Sequence, residues 1–192
     1  MNFESDNFYI EKVLNNDVSA YSSLIDKHKE MVYTIAFRIL RNREDAEEIA
    51  QDTFIKAYQS LSKFRKESKF STWLYRIVYN TAISRTRKKK IQTIELNDEI
   101  EKNFSEDEIR DDVFKLDFDE QKILINKVIG KLSEEDSLLI TLYYFEENTT
   151  EEIAEITGLS QSNVKVRLHR VRKRLYEEIQ EILNNEFKEV YP

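Results

Sequence analysis

Asp45, Glu48 and Asp52 stand at helical spacing, so their carboxylates share a face, and shared carboxylates are the usual start of a metal site. The other ligands are missing. A metal centre in a helical bundle draws Glu-x-x-His pairs from neighbouring helices, and the two histidines, His28 and His169, lie in no such motif. The chain has no cysteine, which removes disulfides, thiol catalysis and thiolate zinc sites together. It also has no phosphate loop, nucleophile elbow or zinc-binding histidine pair. We therefore expect no enzyme: no catalytic residue, cofactor, metal or small-molecule substrate. The acidic face reads as a solvated or partner-binding surface.

What remains is the chemistry of gripping a polyanion. The formal net charge of -7 argues against it only until the charges are mapped. Residues 63–90 hold ten Lys or Arg against the single acid Glu67, a local balance of +9. Residues 161–174 hold six Lys or Arg and no acid, or +6, whereas 91–120 hold twelve Asp or Glu against Lys102, Arg110 and Lys115, or -9. Phosphate attraction follows the local patch more than the total. In 63–90 the cations are interleaved with Phe64, Phe70, Trp73, Tyr75 and Tyr79, a composition suited to single-stranded DNA: rings stack on unpaired bases while cations neutralise phosphates. Leu74, Ile77 and Val78 are core residues on the same stretch. Trp73 fits either role.

The second basic stretch has a register. Val164, Leu168, Val171 and Leu175 form an apolar stripe, and the opposite side carries Ser162, Lys165, Val166, His169, Arg170 and Lys173. Thr149 with Glu152 predicts a capping box, Gly158 a left-handed helix end, and Ser160 the cap of the next helix. Helix, tight turn and half-basic helix over 149–175 make a helix-turn-helix, the layout that seats a helix in the DNA major groove.

The elements positioning these residues are helices. Two glycines and one proline, Pro192, leave a chain of 192 residues without the punctuation that hairpins need. The sequence predicts an all-α protein with four or five helices in 7–90. Among them, 43–60 packs through Ala46, Ile49, Ala50, Thr53 and Ala57, and a long helix around Trp73 is capped by Ser71. Residues 91–118 lose periodicity and read as an acidic flexible linker. A second domain begins near Asp119 with one helix to Gly130 and another, capped by Ser133 with Asp136, running to a mostly buried LLITLYYF. No apolar run is long enough for a bilayer and the N-terminus lacks the zones of a signal peptide, so a soluble, cytoplasmic protein is expected without membrane insertion.

Three stretches taken in order, REDAEEIAQDTFIKAY at 43–58, FRKESKFSTWLYRIVYNTA at 64–82 and EEIAEITGLSQSNVKVRLHRVRKRL at 151–175, resemble the bacterial RNA polymerase sigma factors of the extracytoplasmic-function (ECF) group. The resemblance covers about 7–90 and 119–176. It implies two small helical domains joined by the acidic linker: 1–90 for the polymerase clamp and the minus-ten element, 91–118 as linker, and 119–192 for the minus-thirty-five element. It points to Asp45, Glu48, Gln51, Asp52 and Phe54 as the surface for the clamp helices of core RNA polymerase. Phe64, Lys66, Lys69, Trp73, Arg76, Asn80 and Arg87 become the residues that open the minus-ten element and hold a flipped base. Ser162, Lys165, Val166, Arg167, His169, Arg170 and Lys173 become the face toward the minus-thirty-five element of promoter DNA. An anti-sigma factor is an implied partner.

Three positions depart from the family pattern. Lys66 stands where many relatives have glycine, Ser133 where proline is common, and Val166 where serine is frequent on the reading face. The first adds a phosphate contact and stiffens the loop; the last suits a thymine methyl. Two other readings fit the residues: a helix-turn-helix regulator whose N-terminal block senses a ligand or dimerises, and a helical interaction scaffold without a DNA role.

Overall fold

The computed structural model describes residues 5–89 and 118–190, all of whose regular elements are helical. The expected acidic linker lies outside the described residues, except that Phe118 already begins a helix. In the first domain, α1 (Asp6–Leu14) leads through a short 3-10 turn to α2 (Tyr21–Leu40), α3 (Arg43–Ser60) and α4 (Phe70–Lys89). The second contains α5 (Phe118–Lys131), α6 (Glu134–Ile140), α7 (Thr150–Thr157) and α8 (Gln161–Val190). Among the described residues no helix is long and apolar enough to cross a membrane.

Helix α2 is the centre of the first domain. Leu24, His28, Val32, Ile35 and Ile39 fall every three or four residues and are buried between α3 and α4. On α3 the small-residue stripe is buried as expected at Ala46, Ile49, Thr53 and Ala57, with Ala50 half-buried, which lets the backbones approach closely. The α2–α3 corner is tight because Arg41 takes a left-handed φ of 52° and Asn42 then caps α3, accepting from the Asp45 N–H at 2.9 Å. Helix α1 is tied down by Asp6, which receives Lys27 Nζ at 2.7 Å and lies 3.2 Å from Nε2 of the buried His28. Burial pushes the Asp6 carboxyl upward, but the His28 and Lys27 hydrogen bonds outweigh it and hold it below its ordinary value.

Two expectations need correction. Helix α4 starts at Phe70, and its first hydrogen bond runs from the Trp73 N–H to the Lys69 carbonyl at 3.1 Å, so Ser71 sits inside the first turn and caps nothing. The run expected as one helix to Phe145 is α-helical only to Ile140. Thr141–Phe145 form a π turn in which the Glu146 N–H reaches the Thr141 carbonyl at 3.3 Å. Leu138 to Leu142 are buried, but the wider turn swings Tyr144 and Phe145 outward, about half exposed. Buried Asn148 closes the turn by donating from its backbone N–H and its Nδ2 to the Leu142 carbonyl, at 3.1 and 3.2 Å.

The domains pack together, α7 along α4 and α6 against α2, so that one buried apolar cluster runs through both. Arg41 crosses over to donate to the carbonyls of Gly130 (3.1 Å) and Leu132 (3.0 Å).

Two outcomes test this account. Gly158 has a φ of 76°, so Gly158→Ala forces a Cβ into the left-handed region and costs about 1 kcal/mol in urea unfolding. The Asp6 contribution is complete above its ordinary carboxyl value of 3.8 and disappears as pH falls through the lower folded value. Asp6→Asn should therefore reduce stability at neutral pH and flatten the acid limb of the stability-against-pH curve.

Candidate nucleic-acid interface

The loop before α4 and the first half of that helix assemble an aromatic platform. Phe70 is buried and anchors it; the half-buried rings of Phe64 and Trp73 lie 5.8 and 5.7 Å from it and 5.3 Å from each other. Trp73 thus has one side in the core and part of its surface open. Arg76 and Asn80, on the exposed side of α4, continue the face. Asn80 borders a polar groove between α3 and α4 with Asp52, Lys56, Thr81, Ser84 and Arg85. Arg87 lies within α4, but its side chain is outside the described residues.

Lys66 adopts a φ of 60°, a backbone state that favours glycine, and its ammonium bonds Glu11 at 2.7 Å. The departure from glycine is therefore accommodated as a strained lysine tied to α1. Lys69 is engaged too: its Nζ lies 2.9 Å from Glu152 of α7.

The acidic face of α3 divides in two. Gln51 and Glu48 are exposed, and Asp45 and Asp52 are half-buried. Phe54, grouped with them from the sequence, turns inward: its side chain joins the core and its carbonyl accepts the Tyr21 hydroxyl at 2.7 Å. Among the described residues no three metal-ligating side chains come together. Asp45 and Glu48 instead share the guanidinium of Arg85, with Nη2 at 3.2 Å from Asp45 Oδ1 and 2.6 Å from Glu48 Oε2. The Glu48 and Asp45 hydrogen bonds push Arg85 above its ordinary value. Arg85 was not singled out from the sequence, because its partners are 37 and 40 positions away.

In the second domain the helix-turn-helix forms as its caps direct. Thr149 and Glu152 bond reciprocally (Thr149 N–H to Glu152 at 2.8 Å, Glu152 N–H to Thr149 at 3.2 Å), and the Ser160 hydroxyl receives the Asn163 N–H at 3.2 Å. Val164, Leu168 and Val171 are buried and Leu175 partly so. That row rotates α8 to expose Ser162, Lys165, Val166, His169 and Arg170, with Lys173 half-buried beside them; Val166 is 47% exposed. Arg167 departs from its expected place on this face. It is half-buried and paired with Glu135 of α6 at 2.5 Å, while Arg174 reaches Asp136 at 3.4 Å. These arginines fasten α8 to the acidic first turn of α6, where the helix N-terminus also favours the carboxylates.

A helix-turn-helix whose second helix is basic on its exposed side and an aromatic platform flanked by cations thus lie on separate helical domains. Comparison with known proteins sharpens this: residues 24–91 match Sigma-70 region 2 and residues 122–175 match Sigma-70, region 4. The ECF RNA polymerase sigma factor SigW of Bacillus subtilis (strain 168) is 34% identical over 180 residues, covering 90% of this chain and 96% of that protein. The fold is shared with CnrH, solved in complex with the cytosolic domain of CnrY (TM-score 0.62, 20% identity, 93% of this chain and 99% of that one). It is shared also with the sigma factor RpoE of Bartonella quintana, solved with the anti-sigma factor NepR (TM-score 0.60, 22% identity, 83% and 96%). The chain belongs to the ECF group of RNA polymerase sigma factors. It is a transcription initiation factor.

Replacing Arg85 by Ala removes the cation shared by Asp45 and Glu48. Because these side chains remain partly exposed, the loss of stability in urea unfolding should be small and should shrink in 1 M salt. A loss unaffected by salt assigns Arg85 a packing role instead.

Proposed function

We propose that residues 1–90 dock on core RNA polymerase and capture the opened minus-ten strand, while residues 119–192 read the minus-thirty-five element as duplex. The observation carrying this reading is the division of α4. One side is buried against α2 and α3, and the other presents Trp73, Arg76 and Asn80 beside the acidic face of α3. Asp45, Glu48, Gln51 and Asp52 are the proposed contacts for the clamp helices of the large polymerase subunit. Phe54 supports that face from beneath.

At the minus-ten element Phe64 and Trp73 stack on a base taken out of the duplex, and Asn80 offers amide hydrogen bonds to its edge. Lys66, Lys69, Arg76 and Arg87 neutralise the adjoining phosphates. At the minus-thirty-five element Lys165, His169, Arg170 and Lys173 position α8 in the major groove. Ser162 and Val166 face the bases, the valine toward a thymine methyl. No bond is made or broken by the protein; its work is binding energy directed to one promoter geometry. We place it in the cytoplasm, and the complex of the Bartonella quintana relative with an anti-sigma factor supports a regulatory partner of that kind here.

Run-off transcription with purified core polymerase on a genomic DNA library tests the reading and returns the promoter. Absence of any transcript dependent on the added chain overturns it. On that promoter, Lys165→Ala and Arg170→Ala should each weaken binding and lower the slope of log affinity against log salt by about 0.9. Arg167→Ala, because of its Glu135 partner, should leave the slope nearly unchanged.

A further inference from the structure

The loop that precedes α4 is held from outside by a helix to which no part in DNA binding has so far been given. Its two ends are fixed by apolar packing: Leu61 is buried in the 3-10 turn Leu61–Lys63, Phe64 joins the aromatic platform, and Phe70 is buried at the start of α4. Between them Arg65, Lys66, Glu67 and Ser68 offer no apolar side chain, so burial does not decide their path. Arg65 and Glu67 approach only to 4.0 Å, and both stand largely in solvent. The middle of the loop turns on Lys66, whose φ of 60° is disfavoured for a residue with a Cβ and persists where the surroundings hold it.

The hold comes from α1. Lys66 Nζ donates to Glu11 Oε1 at 2.7 Å, across 55 positions of sequence. Glu11 is presented by a firm element: Ile10 and Val13 on either side of it are buried, and Asp6 at the head of the helix is tied to Lys27 and His28. Helix α1 also touches the 3-10 turn itself, so helix and loop share one frame. Glu11 precedes residues 24–91, the part matched by Sigma-70 region 2, and the brace is therefore supplied from outside that region. The bond does not use up the ammonium. It carries three donors, and with its side chain still 42% exposed Lys66 can hold Glu11 and meet a strand phosphate together.

We propose that Glu11 is a positioning residue for strand capture: through Lys66 it keeps the loop 64–69 in the shape that sets Phe64 beside Trp73 to receive an unpaired base. This rests on the functional reading above, in which those two rings stack on the base. Glu11 itself touches no DNA. Its effect is preorganisation, since a loop already in its bound shape loses less conformational freedom when the strand arrives. A carboxylate that merely masked Lys66 from phosphate would act with the opposite sign. Removing a mask tightens binding, whereas removing a brace weakens it.

The test measures binding of the holoenzyme to a fluorescent single strand carrying the minus-ten element of the promoter recovered by run-off. Glu11→Gln should weaken that binding about two- to fivefold, the range open to an exposed ion pair, with the slope of log affinity against log salt nearly unchanged. Glu11→Asp keeps a carboxylate within reach of the flexible lysine and should recover most of the loss. In a Lys66→Gly background there is no ammonium to hold, so Glu11→Gln should have no further effect. Affinity for core polymerase should be the same with either residue at position 11. Unchanged or tighter strand binding by Glu11→Gln overturns the proposal, and tighter binding with a slope steeper by about 0.7 identifies a mask in its place. An equal loss in both backgrounds also overturns it, because Glu11 then acts through the packing of α1. Wild-type binding that is indifferent to Glu11 defeats the brace alone; a wild-type holoenzyme that transcribes the promoter yet binds no single strand defeats the strand-capture reading beneath it.

Discussion

The rotation of α4 about its own axis is the constraint on which the rest depends. Phe70, Leu74, Tyr75, Val78 and Ala82 occupy successive turns of one side and are buried, so the helix has one favourable orientation against α2 and α3. Turning it by one residue withdraws several full apolar side chains from the core, each worth about 1.5–3 kcal/mol. That penalty holds Trp73, Arg76 and Asn80 outward. Specificity for a strand is in this sense a by-product of core packing: the apolar row has no contact with DNA in the proposed use, yet it decides which side chains do.

Electrostatics then acts locally. A chain of net charge -7 presents cations on α4 and α8 because its acids are elsewhere: on α3, at the start of α6, and in the stretch preceding the second domain. Several acids discipline the cations. Glu135 and Asp136 hold Arg167 and Arg174 as fasteners between α6 and α8, and Asp45 and Glu48 hold Arg85 between α3 and α4. A cation inside a basic run is therefore not by that fact a phosphate contact. Arg167 and Lys165 are two positions apart, and one is committed to protein while the other is exposed.

This explains what could be read beforehand. Features set within four residues were legible: the Thr149–Glu152 box, the left-handed Gly158, the Ser133 and Ser160 caps, and the apolar row of α8. So was the outward face of α8, which follows from that row by helical phase. The misses are interactions closed by the fold. The place of Arg85 depends on acids of another helix, Phe54 is inward because α3 meets Tyr21, and Ser71 loses the cap to Lys69, because the helix begins two residues earlier than a Ser71 cap would set it. Lys66 lies between: its position marks where glycine is common, but the salt link to Glu11 that holds it spans 55 positions.

The π turn at Thr141–Phe145 has a consequence for evolution and engineering of the second domain. A turn one residue wider than an α-helix behaves as a built-in single-residue insertion, and each residue of α-helix corresponds to about 100° of rotation. The direction in which the chain leaves α6, and hence the heading of the helix-turn-helix behind it, is phased by that extra residue. Deleting one position here restores ordinary helical pitch but re-aims the helix-turn-helix that follows.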